Sequence, residues 1–165
     1  MTCGFVLRAG RDDDAAGFIA LIGGCWAEYP GCVMDLDGEV PELRALGSYY
    51  AKQGGALWAA EADGAIVGMA GTRPLGAGAW EICKMYVTRA HRGTGLAQAL
   101  LAAAEGHAAG RGASVMKLWS DTRFERAHRF YEKHGYRRSG PNRPLYDKSN
   151  SIEYAYAKRL ARESG

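Results

Sequence analysis

The stretch EICKMYVTRAHRGTGLAQALLAAAEGHAAGRGASVMKLWSDTRFERAHRFYEKHGY, residues 81–136, decides the fold. It opens with an apolar strand over residues 79–87, followed by a basic Gly-rich turn. A long Ala/Leu helix is predicted over residues 94–109, a second strand over 115–120 and a short aromatic helix over 124–134. Leu96, Leu100, Ala104 and Ala108 share one stripe of the long helix, with Leu101 beside it. Gly110 and Gly112 end that helix. At the centre stands Arg92-Gly93-Thr94-Gly95-Leu96-Ala97. Small residues there let a backbone come close to a ligand. The helix that follows begins with N–H groups that lack internal partners, which attract phosphate. A strand–helix–strand unit of this kind predicts a right-handed parallel crossover.

Working outward toward the N-terminus, residues 5–9 read as a first strand. Asp12, Asp13 and Asp14 offer N-caps for a helix bearing Phe18, Ile19 and Ile22, and complement its dipole. That helix ends before Tyr29-Pro30-Gly31, and an acidic loop follows at 35–39. A second helix begins at Pro41, a favoured first position. It runs through Leu43 and Leu46 to Tyr50 and stops near Gly54-Gly55. Residues 56–61 and 65–72 form a hairpin about Asp63-Gly64. Toward the C-terminus, Gly135 suits the cap of the aromatic helix. Strands are expected at 136–139 and 152–158, the latter alternating Ile152, Tyr154 and Tyr156 against Glu153, Ala155 and Ala157.

At 165 residues the chain suits one domain, residues 1–165, with a sizeable core. Its 21 basic and 18 acidic side chains leave an excess too small to argue for nucleic acid. No stretch approaches the roughly 20 apolar residues of a membrane helix, and the N-terminal apolar run is too short for a secretory signal. Cys3, Cys25, Cys32 and Cys83 show no C-x-x-C pair and no zinc spacing, which predicts reduced thiols and a cytoplasmic protein. His91, His107, His128 and His134 form no H-x-x-x-H set, so no metal site is expected. All four are read as solvated or capping side chains.

Two familiar phosphate-binding patterns fail. A dinucleotide fingerprint from Gly93 needs a third small residue where Gln98 stands, and no P-loop string exists. The pattern present is Arg92-x-x-Gly95-x-Ala97. Phe130-Tyr131-Glu132-Lys133-His134-Gly135-Tyr136 follows downstream. Together they resemble the GNAT family of N-acetyltransferases, whose signatures read [QR]-x-x-G-x-[GA] and F-Y-x-x-x-G-[FY]. The resemblance implies an α/β (α+β) fold: a mixed, mostly antiparallel sheet of about six to seven strands with helices on both faces. Two parallel strands would splay to admit a pantetheine arm. It also implies acetyl-CoA as co-substrate, no metal, and a primary amine of a small molecule or peptide as acceptor. Many members dimerise, so the resemblance allows a homodimer. Two positions depart from common members: Arg89 stands where proline is frequent, and Phe124 where asparagine is.

The resemblance also assigns roles. Arg92 and the backbone of Gly93, Thr94, Gly95, Leu96 and Ala97 would hold the CoA pyrophosphate. The backbone of Met85, Tyr86 and Val87 would pair with the pantetheine arm, one N–H holding the oxyanion. Glu81, six residues before Val87, would be the general base, on a strand face expected to carry 81, 83, 85 and 87. Tyr131 would protonate the departing thiolate. Spacing alone leaves a solvated Glu81 equally open and favours a Tyr131 packed beside Phe130. Cys83 reads as a small hydrophobe rather than a nucleophile.

Two cues to the acceptor conflict. Glu28, Tyr29, Asp35, Asp37 and Glu39 favour a cationic acceptor. Arg137, Arg138, Arg143 and Lys148, with Asn142, Asp147, Ser149 and Asn150, favour an acceptor carboxylate. The rival readings of function are a non-catalytic acyl-CoA-binding module and a nucleotide-binding regulator.

Overall fold

The computed structural model describes residues 4–160; Cys3 lies outside them. The first strand, β1, is Val6–Ala9, and helix α1 is Ala15–Trp26. A short 3-10 turn at Pro41–Ala45 leads into α2, Leu46–Lys52. Three strands follow: β2 (Ala56–Ala62), β3 (Ala65–Gly76) and β4 (Ala79–Val87). The long helix α3 is Leu96–Gly110, then come β5 (Val115–Asp121) and α4 (Glu125–Lys133). Two-residue strands β6 (Arg137–Arg138) and β7 (Arg143–Pro144) precede β8, Ile152–Arg159.

One eight-stranded sheet runs β1-β2-β3-β4-β5-β8-β6, with β7 also paired to β8. Every pairing is antiparallel except β4–β5. The expected six to seven strands become eight because the basic loop supplies β7, and the strand expected over 136–139 shrinks to Arg137–Arg138. The Asp63-Gly64 hairpin is present, with both residues at positive φ, which a two-residue hairpin turn requires.

The two sheet faces carry separate cores. Phe18, Leu21 and Ile22 of α1 and Leu46 and Tyr50 of α2 bury against Leu57, Ala59 and Met69 on one face. Leu96, Leu100, Leu101 and Ala104 of α3 cover the other, over Ala60, Val67, Ala70, Ile82 and Leu118. The apolar stripe read on the long helix is this buried seam. The aspartates before α1 do not cap it through their side chains. Arg8 holds Asp14 through two bonds of 2.8 Å, and Asp12 accepts from the Ser48 backbone and hydroxyl. A cation on β1 and a free backbone donor on α2 outcompete the helix end. These bonds tie both helices to the sheet edge.

Parallel pairing of β4 with β5 covers only Ala79–Ile82 against Val115–Leu118. Beyond it the strands part, and β5 continues paired to β8 alone. The sheet therefore opens where Cys83–Val87 face Trp119–Asp121.

Candidate active site

A β-bulge shapes the opening. Cys83 sits opposite Gly71 and Tyr86 opposite Met69, so three steps on β4 oppose two on β3. Lys84 takes the extra residue at φ 49°, its ammonium held 3.0 Å from Glu42. The bulge reverses the alternation. Cys83 and Tyr86 pack on the α1 side, whereas Ile82, Met85 and Val87 pack on the α3 side. This corrects the expected single face of 81, 83, 85 and 87: a period of two holds only while the strand carries no inserted residue.

An apolar cleft of about 280 Å³ lies on one side of the opening. Its lining includes Met85, Tyr86, Val87, Arg92, Gly93, Ala97 and Tyr131. Thr94, Gly95 and Leu96 do not line it. Leu96 is fully buried beneath the turn, and the Thr94 hydroxyl donates to the His91 carbonyl. Gly93 and Gly95 have φ of 77° and 89°, the left-handed region glycine enters without strain. That conformation leaves the N–H groups of Gly93, Thr94 and Gly95 with no backbone carbonyl in hydrogen-bond geometry among the described residues. They form an anion-ready nest at the head of α3. Arg92 flanks it, but both its terminal nitrogens donate to Glu28, at 2.7 and 2.6 Å. Arg92 holds the Glu28 carboxyl below its usual range.

Helix α4 forms the opposite wall. Ala127, Phe130 and Tyr131 were expected to face the core. Tyr131 is buried in the core, Ala127 and Phe130 pack against it, and all three also line the cleft, while His128 is a further buried residue of the helix. His128 bonds the Asp121 carbonyl at 2.9 Å and stacks on Tyr156. Burial lowers its pKa, which overturns the solvated reading of this histidine. His107 likewise meets Trp58 and Trp80 edge-on. The Tyr131 hydroxyl bonds no protein group among the described residues and opens on the cleft. Burial raises its pKa, with the Cys83 thiol adding to the shift, so the phenol keeps its proton near neutrality. Phe124, one of the departures, packs on Tyr29 with ring centroids 4.8 Å apart.

A polar cavity of about 510 Å³ occupies the other side. Glu39, Glu81, Asp121, Asp147 and Glu153 line it, together with Lys84, Arg143 and the rings of Trp26, Tyr86, Trp119 and Tyr146. Glu81 accepts from the Cys83 thiol at 3.0 Å and lies 3.4 Å from Arg73. Burial and that carboxylate push the Cys83 thiol up to about 12. It is therefore a poor nucleophile at neutral pH. Trp26 donates to the Tyr86 hydroxyl at 3.0 Å.

The two conflicting acceptor cues pair with each other. Lys148 lies 3.0 Å from Asp35, and its backbone N–H donates to Glu39. Asp37 is taken by Arg44, and Glu28 by Arg92. Glu39 and Asp147 alone of those residues supply carboxylates to the cavity. Asp121, Trp119 and Glu153 escaped sequence reading. The available signal was Glu153 sharing a strand face with Ala155 and Ala157, a carboxylate on a small-residue face.

The sequence profile of the Acetyltransferase (GNAT) family matches residues 23–136. No curated protein matches the sequence. Among solved structures, the chain is similar to a GNAT-family acetyltransferase from Staphylococcus aureus Mu50. Identity is 18%, the TM-score is 0.80, and the match covers 96% of this chain and 100% of that one. An acetyltransferase from Streptococcus agalactiae 2603 gives 18%, 0.82, 95% and 99% for the same measures. The PaiA N-acetyltransferase from Thermoplasma acidophilum, solved with coenzyme A, gives 15%, 0.73, 95% and 99%. The neighbours share the fold, the profile spans most of the chain including both motifs, and the chain belongs to the GNAT acetyltransferase family.

Proposed function

We propose that the chain is an acetyl-CoA-dependent N-acetyltransferase that moves an acetyl group by direct attack to a primary amine of a small molecule or peptide. The observation that carries this reading is the meeting of the two chambers. Tyr86 and Phe124 line both the apolar cleft and the polar cavity. A thioester entering from one side and an amine entering from the other would meet at the bulge in β4.

The apolar cleft fits acetyl-CoA. Its apolar walls suit a pantetheine arm, and the unpartnered N–H groups at Gly93–Gly95 suit the pyrophosphate. When bound, acetyl-CoA supplies an acetyl thioester. The residues do the rest. Backbone N–H groups of Met85–Val87 align the arm and polarise its carbonyl. Glu81 draws the ammonium into the cavity and accepts its proton, directly or through water, since an ammonium has no lone pair with which to attack. Tyr131 hands its proton to the departing thiolate. A protonated Cys83 speaks against an acetyl-cysteine route.

The test is acetyl transfer from acetyl-CoA to a mixed pool of polyamines, amino acids, aminoglycosides and a lysine peptide, read by mass spectrometry. An acetylated product identifies reaction and acceptor together. No product, with CoA binding established by thermal shift, favours the non-catalytic acyl-CoA-binding module.

A further inference from the structure

We propose that Glu153 is a second catalytic carboxylate, set on the wall of the polar cavity opposite Glu81, and that it takes a proton from the acceptor ammonium. The proposal rests on the acetyltransferase reading above.

Its position follows from the sheet. Pairing of β4 with β5 stops at Ile82 and Leu118, whereas β5 stays paired to β8 as far as Asp121 opposite Glu153. Glu81, opposite Lys117, stands where the sheet is still closed. Glu153 stands beyond the point of splay, on the wall that faces the bulge. On β8, Tyr154 and Tyr156 turn toward His128 of α4, so Glu153 turns to the other face and lines the cavity.

Its bonding leaves it available. One carboxylate oxygen accepts from Arg143 Nε at 2.8 Å. The other accepts nothing among the described residues and is not sealed from the cavity. Arg143 itself stacks on Trp119 at 4.0 Å and remains 45% exposed, so an incoming ammonium can share this carboxylate without breaking a buried pair. Glu81 likewise keeps one oxygen unbonded among the described residues, while its other oxygen serves both Cys83 and Arg73. The charged and titratable groups around Glu153 are Arg143 on β7, Asp121 on β5, Glu81 on β4 and the Tyr86 phenol. Burial raises its pKa, with Asp121 and Glu81 adding to the rise against Arg143, which moves the carboxylate toward proton-accepting strength at neutral pH.

The step balances. The ammonium gives one proton to Glu153, which shares that task with Glu81 across the cavity and passes the proton to solvent. The freed amine forms a bond to the thioester carbonyl carbon, and the C–S bond breaks. The nitrogen's second proton goes to solvent, and the thiolate is protonated by Tyr131, which refills from solvent.

The test compares two small amines, ethylamine, protonated near neutrality, and 2,2,2-trifluoroethylamine, largely neutral there. A proton acceptor matters for the first and hardly for the second. Glu153→Gln is expected to lower kcat/KM for ethylamine by about 100-fold at pH 7.5. It should leave transfer to trifluoroethylamine near the wild-type rate, which also certifies that the variant is folded. Equal losses on both amines would make Glu153 a structural residue and overturn the proposal, as would no loss on either. Failure of wild type to acetylate either amine or any amine of the mixed pool, while still binding CoA, would overturn the acetyltransferase reading itself. That outcome is seen without any variant.

Discussion

The two chambers at the splay are built by different means. The apolar cleft depends on backbone conformation and draws most of its lining from one run of sequence, the end of β4, the turn at 92–95 and one face of α4, with Cys25 and Tyr29 added from α1 and the segment after it. The polar cavity is a product of side chains drawn from Glu39, Glu81, Asp121, Asp147 and Glu153, which only the finished sheet brings together. A site made of backbone tolerates change in most side chains and fails where the backbone geometry fails. A site made of scattered carboxylates can change its ligand one residue at a time while the fold stays as it is.

Substitutions can break or sharpen that contrast. The largest effect is expected at Gly95. Valine at φ 89° is strained by about 1–3 kcal/mol. Strain of that size would pull the nest out of shape and weaken CoA binding by roughly 10- to 100-fold. Calorimetric titration with CoA measures it, and unchanged affinity would remove the turn from the site. Next is Tyr131→Phe. Loss of a positioned proton donor is expected to lower kcat by about 100-fold with the KM for acetyl-CoA little changed. A rise in KM with kcat preserved would mean that Tyr131 only packs the cleft wall.

Glu81→Gln touches the other chamber and is expected to do less, about a tenfold fall in kcat/KM for the amine, since a second carboxylate shares the cavity. CoA affinity should stay at the wild-type value. If it falls, the two chambers are not separable in the way described. The smallest effect lies outside both. His128 is buried with a lowered pKa, so the unfolded chain binds its proton more readily than the folded one. The stability tied to its neutral form is present above the unfolded value of about 6.5. It is lost as pH falls below that toward the folded pKa. His128→Asn should flatten the fall in Tm between pH 7 and pH 5 without altering either chamber. An unchanged slope would assign that fall to other groups.

What could be read from the chain follows the same division. Apolar periodicity, glycines and the Asp63-Gly64 turn lay out the hairpin, the long helix and the parallel pair. Arg92-x-x-Gly95-x-Ala97 was legible because a nest needs particular residue types at fixed spacing. The bulge at Lys84 was not, because a non-glycine residue takes the positive φ there and leaves no mark in the sequence. The inward face of α4 was half legible. Ala127 and Phe130 look like core residues and do pack against the core, but they also line the cleft wall. The polar cavity was least legible. Charges near in sequence, Asp35 to Glu39 and Arg137 to Lys148, suggested two opposite ligands. In the fold, Lys148 neutralises Asp35, and the cavity draws Glu81, Asp121 and Glu153 from three strands.

The central claim is that the turn between β4 and α3 holds a pyrophosphate. Calorimetric titration of the wild-type protein with acetyl-CoA and with S-acetylpantetheine, which lacks that group, tests it most directly. The account predicts that acetyl-CoA binds at least about 100-fold more tightly, a difference of about 2.8 kcal/mol. Equal affinity for the two thioesters would contradict it.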